Sequence, residues 1–423
     1  MDQNQSLPNS PISPNSPIRH SPRSLIKTKR SIFAIITLLI VVGFVTHFVD
    51  KRIERKVFGT APDIHSGPWG DLQTWDVRIE QPMEYVGFEK TSSEGPVWNF
   101  GTLSPVAVEG LLLDSGCTAE QSQQLLKCQV QGGNGSAMYR PKEALLLSLS
   151  PEVRSKLYLA LAHNAANRFQ ANPYPIPSGD MASFFVRLHD SNETAFATMK
   201  KLLYTRNGYT YFSDPERVLK DLPTAEERLD YLQSLTSQSA VMMRLLIRPD
   251  SDIDKPLNYW ALSMPGVLMK NLTPLFESQR RLPEGGSISI LYLLPKLARE
   301  KLFSTPLPPA SGDGKLPDCH WTALNYFNAT PDPRMADNEY ASRFITENYY
   351  EIAKPGIGGD LLLLLNAQGG VIHSAVYIAD DVVFTKNGIS YSQPWILMHE
   401  KDLVGSYSAL ESVKVAYFRR RGI

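Results

Sequence analysis

Cys319 and His373 are the residues of this chain whose types and order could support nucleophilic chemistry. A thiol becomes a nucleophile when a neighbouring base takes its proton, and an imidazole neutral near pH 7 can do this and return the proton to a leaving group. Cys319 lies in "DCHWTALNYF", where Asp318 has the character of a helix N-cap and Cys319 falls in the first turn. Unpaired N–H groups and the positive end of the helix dipole favour a thiolate there, while the Asp318 carboxylate opposes it. His320 adjoins the nucleophile, but neighbouring helical residues diverge by about 100°, so it ranks below His373 as the base.

His373 belongs to "GGVIHSAVYIADDVVFTKNG". Alternation along a strand sends His373, Ala375 and Tyr377 to one face and Ser374, Val376 and Ile378 to the other. A third polar group should orient the imidazole through its second nitrogen. With a three-residue loop at Ala379-Asp380-Asp381, Ile378 faces Val382, His373 faces Asn387, and Val376, Ile378, Val382 and Phe384 share an apolar face. A two-residue loop exchanges the faces and brings Lys386 diagonal to His373. Asn387 is therefore the expected orienting residue, with Thr385 second and Lys386 third.

These residues need a helix laid over a sheet. "DLLLLLNA", "GVIHSAVYIA", "DVVFTKN" and "VKVAYFRR" read as strands following the helix at Asp318, an α+β domain over 318–423. The Pro/Gly/Ser stretch "STPLPPASGDGKLP" (304–317) reads as a linker before it. Residues 104–303 are expected to be mainly helical. "SPEVRSKLYLALAHNAANRF" opens on Ser150 as N-cap with Pro151 at the first helical position, and "TAEERLDYLQSLTSQSAVMMRLL" opens on a Thr224–Glu227 capping box. "SISILYLLPKLAREKLF" is a last apolar helical block. Residues 57–103 read as extended or irregular. No chemistry attaches to the helical region, for which a protein partner is one expected role.

The succession "DCHWTALNYF", "GDLLLLL" and "HSAVYIADDVVFTKNG" resembles the NlpC-type cell-wall peptidases, a papain-like family. The matching features are Asp318-Cys319 at a helix start, Gly359-Asp360 opening a strand, and His373 leading a strand through Tyr377. The resemblance implies Cys319 as nucleophile, His373 as base and a polar third residue on the next strand. It also implies cleavage of amide bonds in peptidoglycan stem peptides, with no metal or organic cofactor, and a Cys319 N–H that holds the oxyanion. It covers about a quarter of the chain. His320-Trp321 stands where the family usually has Ser-Gly, and the family's Tyr before the Cys is missing. A thiol acyltransferase, or a non-catalytic envelope scaffold with a papain-like domain, are the alternative readings.

The rest of the chain frames these expectations. With 43 Lys plus Arg against 43 Asp plus Glu, the 423 residues offer no field of one sign to hold nucleic acid. Residues 1–30 are rich in Ser, Pro and Asn and read as disordered. Ser31–Val49 carries no formal charge and as a helix would extend about 28 Å, matching a bilayer core. The expectation is a single-pass anchor in the lipid bilayer, the N-terminus cytoplasmic and the bulk of the chain outside. Cys117 and Cys128 flank a helix whose start carries a Thr118–Gln121 capping box. About 16 Å of helical rise then separates them and disfavours a disulfide.

Overall fold

The computed structural model describes residues 62–81, 95–131, 135–177, 192–264, 269–307 and 316–422, with a few more between 181 and 190. Near the start of the described chain, β1 (Asp63–Gly67) and β2 (Gly70–Ile79) form a hairpin, followed by β3 (Trp98–Asn99). Helices α1 (Pro105–Asp114) and α2 (Ala119–Leu126) precede β4 (Gln129–Val130) and β5 (Met138–Tyr139), which pair with each other; β5 also pairs with β3. Then come α3 (Glu143–Ser148), α4 (Pro151–Ala162), α5 (Arg168–Ala171) and β6 (Tyr174–Ile176). After α6 (Glu193–Lys201), the hairpin β7 (Tyr204–Arg206) and β8 (Tyr209–Phe212) takes β6 on its other edge. Helices α7 (Pro215–Leu219) and α8 (Ala225–Thr236) lead into β9 (Gln238–Ile247).

The caps read from the sequence are present. Thr118 with Gln121 and Thr224 with Glu227 form reciprocal capping boxes, and Ser150 accepts from the Val153 N–H ahead of Pro151. Cys117 and Cys128 are both free thiols.

Strand β9 is the first departure from the helical expectation. It pairs antiparallel with β2 over nine residues and with β10 (Gly286–Ser289), giving a four-stranded sheet in the order β1-β2-β9-β10. The run "SAVMMRLLI" is apolar enough for either element; long-range pairing to β2 settles it as strand. Helices α9 (Asp254–Leu262) and α10 (Met269–Arg280) lie between β9 and β10. "SISILYLLPKLAREKLF" is likewise not one helix: β10, a 3₁₀ turn at Ile290–Leu293 and α11 (Lys296–Lys301) share it.

The C-terminal part begins with α12 (Cys319–Leu324) and α13 (Asn338–Asn348), then β11 (Tyr349–Ile352), β12 (Leu361–Leu365), β13 (Val371–Ala379), β14 (Val382–Lys386) and β15 (Trp395–His399). Helix α14 (Glu400–Tyr407) and β16 (Lys414–Arg420) complete it. Its six strands are antiparallel in the order β11-β16-β12-β13-β14-β15. One face, with Val376, Ile378, Val382 and Phe384, packs against Ala323 and Leu324 of α12 and shares a core with Leu257, Trp260 and Leu293 from before the expected linker. The other, with Leu362, Leu364, Ala375 and Val383, packs against Leu403 of α14 and Ala240 of β9.

The fold is α+β, with two corrections to the expected class. The expected membrane anchor is not supported: among the described residues no helix is long and apolar enough to cross a membrane, and residues 31–49 lie outside the described residues. The longest described helices have 12 residues, about 18 Å of rise against a hydrocarbon core of about 30 Å. Nor is the central region simply a helical domain set apart, since Phe58–Ile423 forms one compact unit.

Candidate active site

Asp318 caps α12 by accepting from the Trp321 N–H at 2.7 Å, which places Cys319 at the head of the helix. The Thr322 hydroxyl donates to the Asp318 carbonyl and accepts from the buried Trp395 Nε1 at 2.9 Å, pinning the first turn to β15. Helix α12 packs against β13, and the backbone amides of Ser374, His320 and Cys319 favour the thiolate form of Cys319.

The sheet is open at this point. The β13–β14 ladder stops at Val376↔Phe384, although β13 starts at Val371 and β14 continues to Lys386. Between Tyr377 and Ala379 the register shifts, Ala379 pairs with Val382, and Asp380 adopts φ 57°. The turn is therefore the tighter one at Asp380-Asp381, while a bulge at Ile378 restores the offset expected from the longer loop.

His373 is 0% exposed. Its side chain shares a sheet face with Leu364, its β12 partner, and with Thr385 on β14. Nε2 lies 2.8 Å from Thr385 Oγ1, so Thr385, not Asn387, is the group that meets the imidazole. Asn387 lies one residue past the end of β14 and stands behind Thr385, whose hydroxyl donates to its Oδ1 at 3.5 Å. A hydroxyl that donates to Asn387 must accept from His373, which places the imidazole proton on Nε2 and leaves Nδ1 an acceptor. Nδ1 is buried with no hydrogen-bond partner. The Tyr407 ring of α14 lies 4.4 Å from the imidazole, centroid to centroid; burial raises the Tyr407 phenol and the Cys319 thiolate adds to the rise. No hydrogen bond joins Cys319 to His373 among the described residues.

Both groups are uncharged at pH 7. Burial, with Asp318 adding to it, pushes the Cys319 thiol up to about 11 against the three N–H groups that favour thiolate. Burial and then repulsion from His320 push His373 down to about 3. Cys319 is 8% exposed. The resting pair is thus thiol and neutral imidazole rather than an ion pair.

The remaining expected residues separate. His320 Nδ1 is hydrogen-bonded to Ser374 Oγ at 2.7 Å, on the sheet face opposite His373. The buried Lys386 donates to the carbonyls of Gly388 and Ser390, and burial lowers it to about 8 against the pull of Asp318 and Cys319. Its hydrogen bonds go to those carbonyls and not to the imidazole. Gly359-Asp360 is a structural corner: Gly359 has φ +106°, and a Cβ there would sit 2.0 Å from the Phe327 ring. The Asp360 carboxylate accepts from the N–H groups of Gly356 and Ile357 and from Arg419 at two 2.7 Å contacts. Tyr407 and the Ser374 N–H were not anticipated; an aromatic ending a helix 34 residues past the His carries no sequence signal of its own.

Among the described residues no group of three or more His, Cys, Asp or Glu is arranged to hold a metal ion. Comparison with family models, curated proteins and solved structures gives no match for this chain.

Proposed function

We propose that Cys319 and His373 are the nucleophile and base of a thiol hydrolase acting on amide bonds. The observation that supports this best is the imidazole itself: Nε2 is committed to Thr385, while the buried Nδ1 lacks a partner, on the strand against which the helix of Cys319 packs. A buried acceptor without a donor is costly, and a proton delivered from sulfur satisfies it. In the reaction, Nδ1 takes the thiol proton as sulfur bonds to the carbonyl carbon. The carbonyl oxygen becomes negative and is held by the backbone N–H of Cys319 at the head of α12. The C–N bond breaks as the proton passes from Nδ1 to the leaving amine. Water then gives a proton to Nδ1, attacks the thioester carbon and releases the acid, and sulfur recovers its proton. Cell-wall stem peptides are the substrate class that the NlpC resemblance supplies.

One observation favours a second reading, a non-catalytic binding or scaffold protein: both residues are buried, His373 wholly and Cys319 but for 8% exposure. Incubation of the full chain with purified muropeptides, with Cys319→Ser as control, separates the two. Amine release by wild type and none by Cys319→Ser supports the hydrolase; no release by either supports the scaffold.

A further inference from the structure

We infer that Gln238, at the start of β9 and far from the Cys–His segment in sequence, is a positioning residue that sets which nitrogen of His373 carries the proton. The inference rests on the reading of His373 as the base. The hydroxyl of Thr385 can face His373 either as acceptor or as donor, and only the first leaves Nδ1 free to take a proton. What decides is the orientation of the Asn387 amide. Its Nδ2 donates to Gln238 Oε1 and to Met398 Sδ, each at 3.4 Å, which turns Oδ1 toward Thr385. Thr385 must then donate to Asn387 and accept from His373 Nε2–H. With the amide reversed, its NH₂ would donate to Thr385, Thr385 would donate to Nε2, and the proton would reside on Nδ1, which could accept nothing from sulfur.

Met398 is a weak acceptor, so the stronger hold on the amide comes from Gln238. The carbonyl of Gln238 is thus the outermost member of a chain through Asn387 and Thr385 to the imidazole. It is supplied by the four-stranded sheet rather than by the sheet that carries His373. Gln238 and Met398 also line a cavity of about 410 Å³, so the chain begins at a wall of that cavity.

The test is ¹⁵N NMR of imidazole-labelled full-length protein near pH 7, where His373 is neutral, its signals assigned by their loss in His373→Gln. Wild type is expected to show Nε2–H with an unprotonated Nδ1. Gln238→Leu should shift a major part of the population to Nδ1–H, whereas Gln238→Glu, which keeps the acceptor, should not. The double variant Gln238→Leu/Asn387→Asp should return to Nε2–H, because a carboxylate at 387 can only accept from Thr385. A merely structural role for Gln238 would leave the tautomer unchanged and give no rescue. Nδ1–H in wild type, an unshifted Gln238→Leu, or an unrescued double variant overturns the inference. Thermal melts of each variant show that the comparison is made on folded protein. If the tautomers follow this pattern while muropeptides stay intact, the hydrolase reading falls and the role of Gln238 stands.

Discussion

Replacing His373 by Ala is the perturbation whose effect on Cys319 can be worked out most fully. A thiol held at about 11 has about 10⁻⁴ of its population as thiolate at pH 7, against about 3 × 10⁻² for a free thiol. The greater basicity of the buried sulfur returns roughly a tenfold gain in intrinsic nucleophilicity. Ionisation alone therefore makes Cys319 about 30-fold slower than a free thiol toward a small alkylating reagent. Removal of the thiol proton by a positioned base in the transition state contributes at the low end, about 10²-fold, because an imidazole held down to about 3 is a weak base at pH 7. That contribution would bring wild type to about the rate of a free thiol. Loss of His373 should then lower the rate about 100-fold at pH 7. The gap should narrow as pH rises toward 11, where the thiol ionises unaided. The assay is iodoacetamide labelling followed by intact mass between pH 5 and 10, in a Cys117→Ala/Cys128→Ser background so that one thiol is read. A wild type already at the slow rate, and indifferent to His373→Ala, would refute the pairing.

Three further outcomes are expected. Thr385→Val keeps the shape but leaves a buried imidazole N–H unpaired, and urea unfolding should show a loss of about 1–3 kcal/mol. Asp360→Ala removes the buried carboxylate that four donors share and should cost about 1–3 kcal/mol by the same measurement, since the Gly356 and Ile357 N–H groups and the quarter-exposed Arg419 lose their acceptor. His399 is raised to about 10 by hydrogen bonds to Asp381 and Asp76 at 2.9 and 3.0 Å. Because its folded pKa lies above the unfolded value of 6.5, its contribution is complete below about pH 6.5 and lost as pH rises through 10. The stability difference between wild type and His399→Gln should therefore be largest at pH 6 and vanish above pH 10.

The parts of the site governed by local rules were legible in the sequence. Asp318 as N-cap and the alternation from His373 to Ile378 follow from helix-end chemistry and strand periodicity. The third residue was not legible, because register alone does not say where a ladder ends. The offset that places Asn387 opposite His373 holds at Val376 and Tyr377, yet the strands part beyond Val376 and Thr385 meets the ring. The bulge at Ile378 was hidden for a related reason: Asp380 tolerates a positive φ and permits a turn one residue shorter. Strand β9 was misread because "SAVMMRLLI" follows a well-capped helix and its pairing partners lie more than 150 residues upstream and about 40 downstream. Long-range partners also explain why neither Gln238 nor Tyr407 could be connected to His373 from spacing.

The end of α14 is held by residues from the hairpin β7–β8. Tyr211 donates to the Gly405 carbonyl at 2.7 Å, Asn207 to Ser408 at 2.8 Å and Arg206 to Ala409 at 2.6 Å, while Gly405 leaves room for the Tyr209 ring. This is the helix that lays Tyr407 over the imidazole. The earlier half of the described chain therefore serves as a splint for the later one. A fragment cut at Asp318 would keep its sulfur and ring nitrogens yet lose the brace behind them, so transplanting the Cys–His segment onto another protein means carrying that brace along.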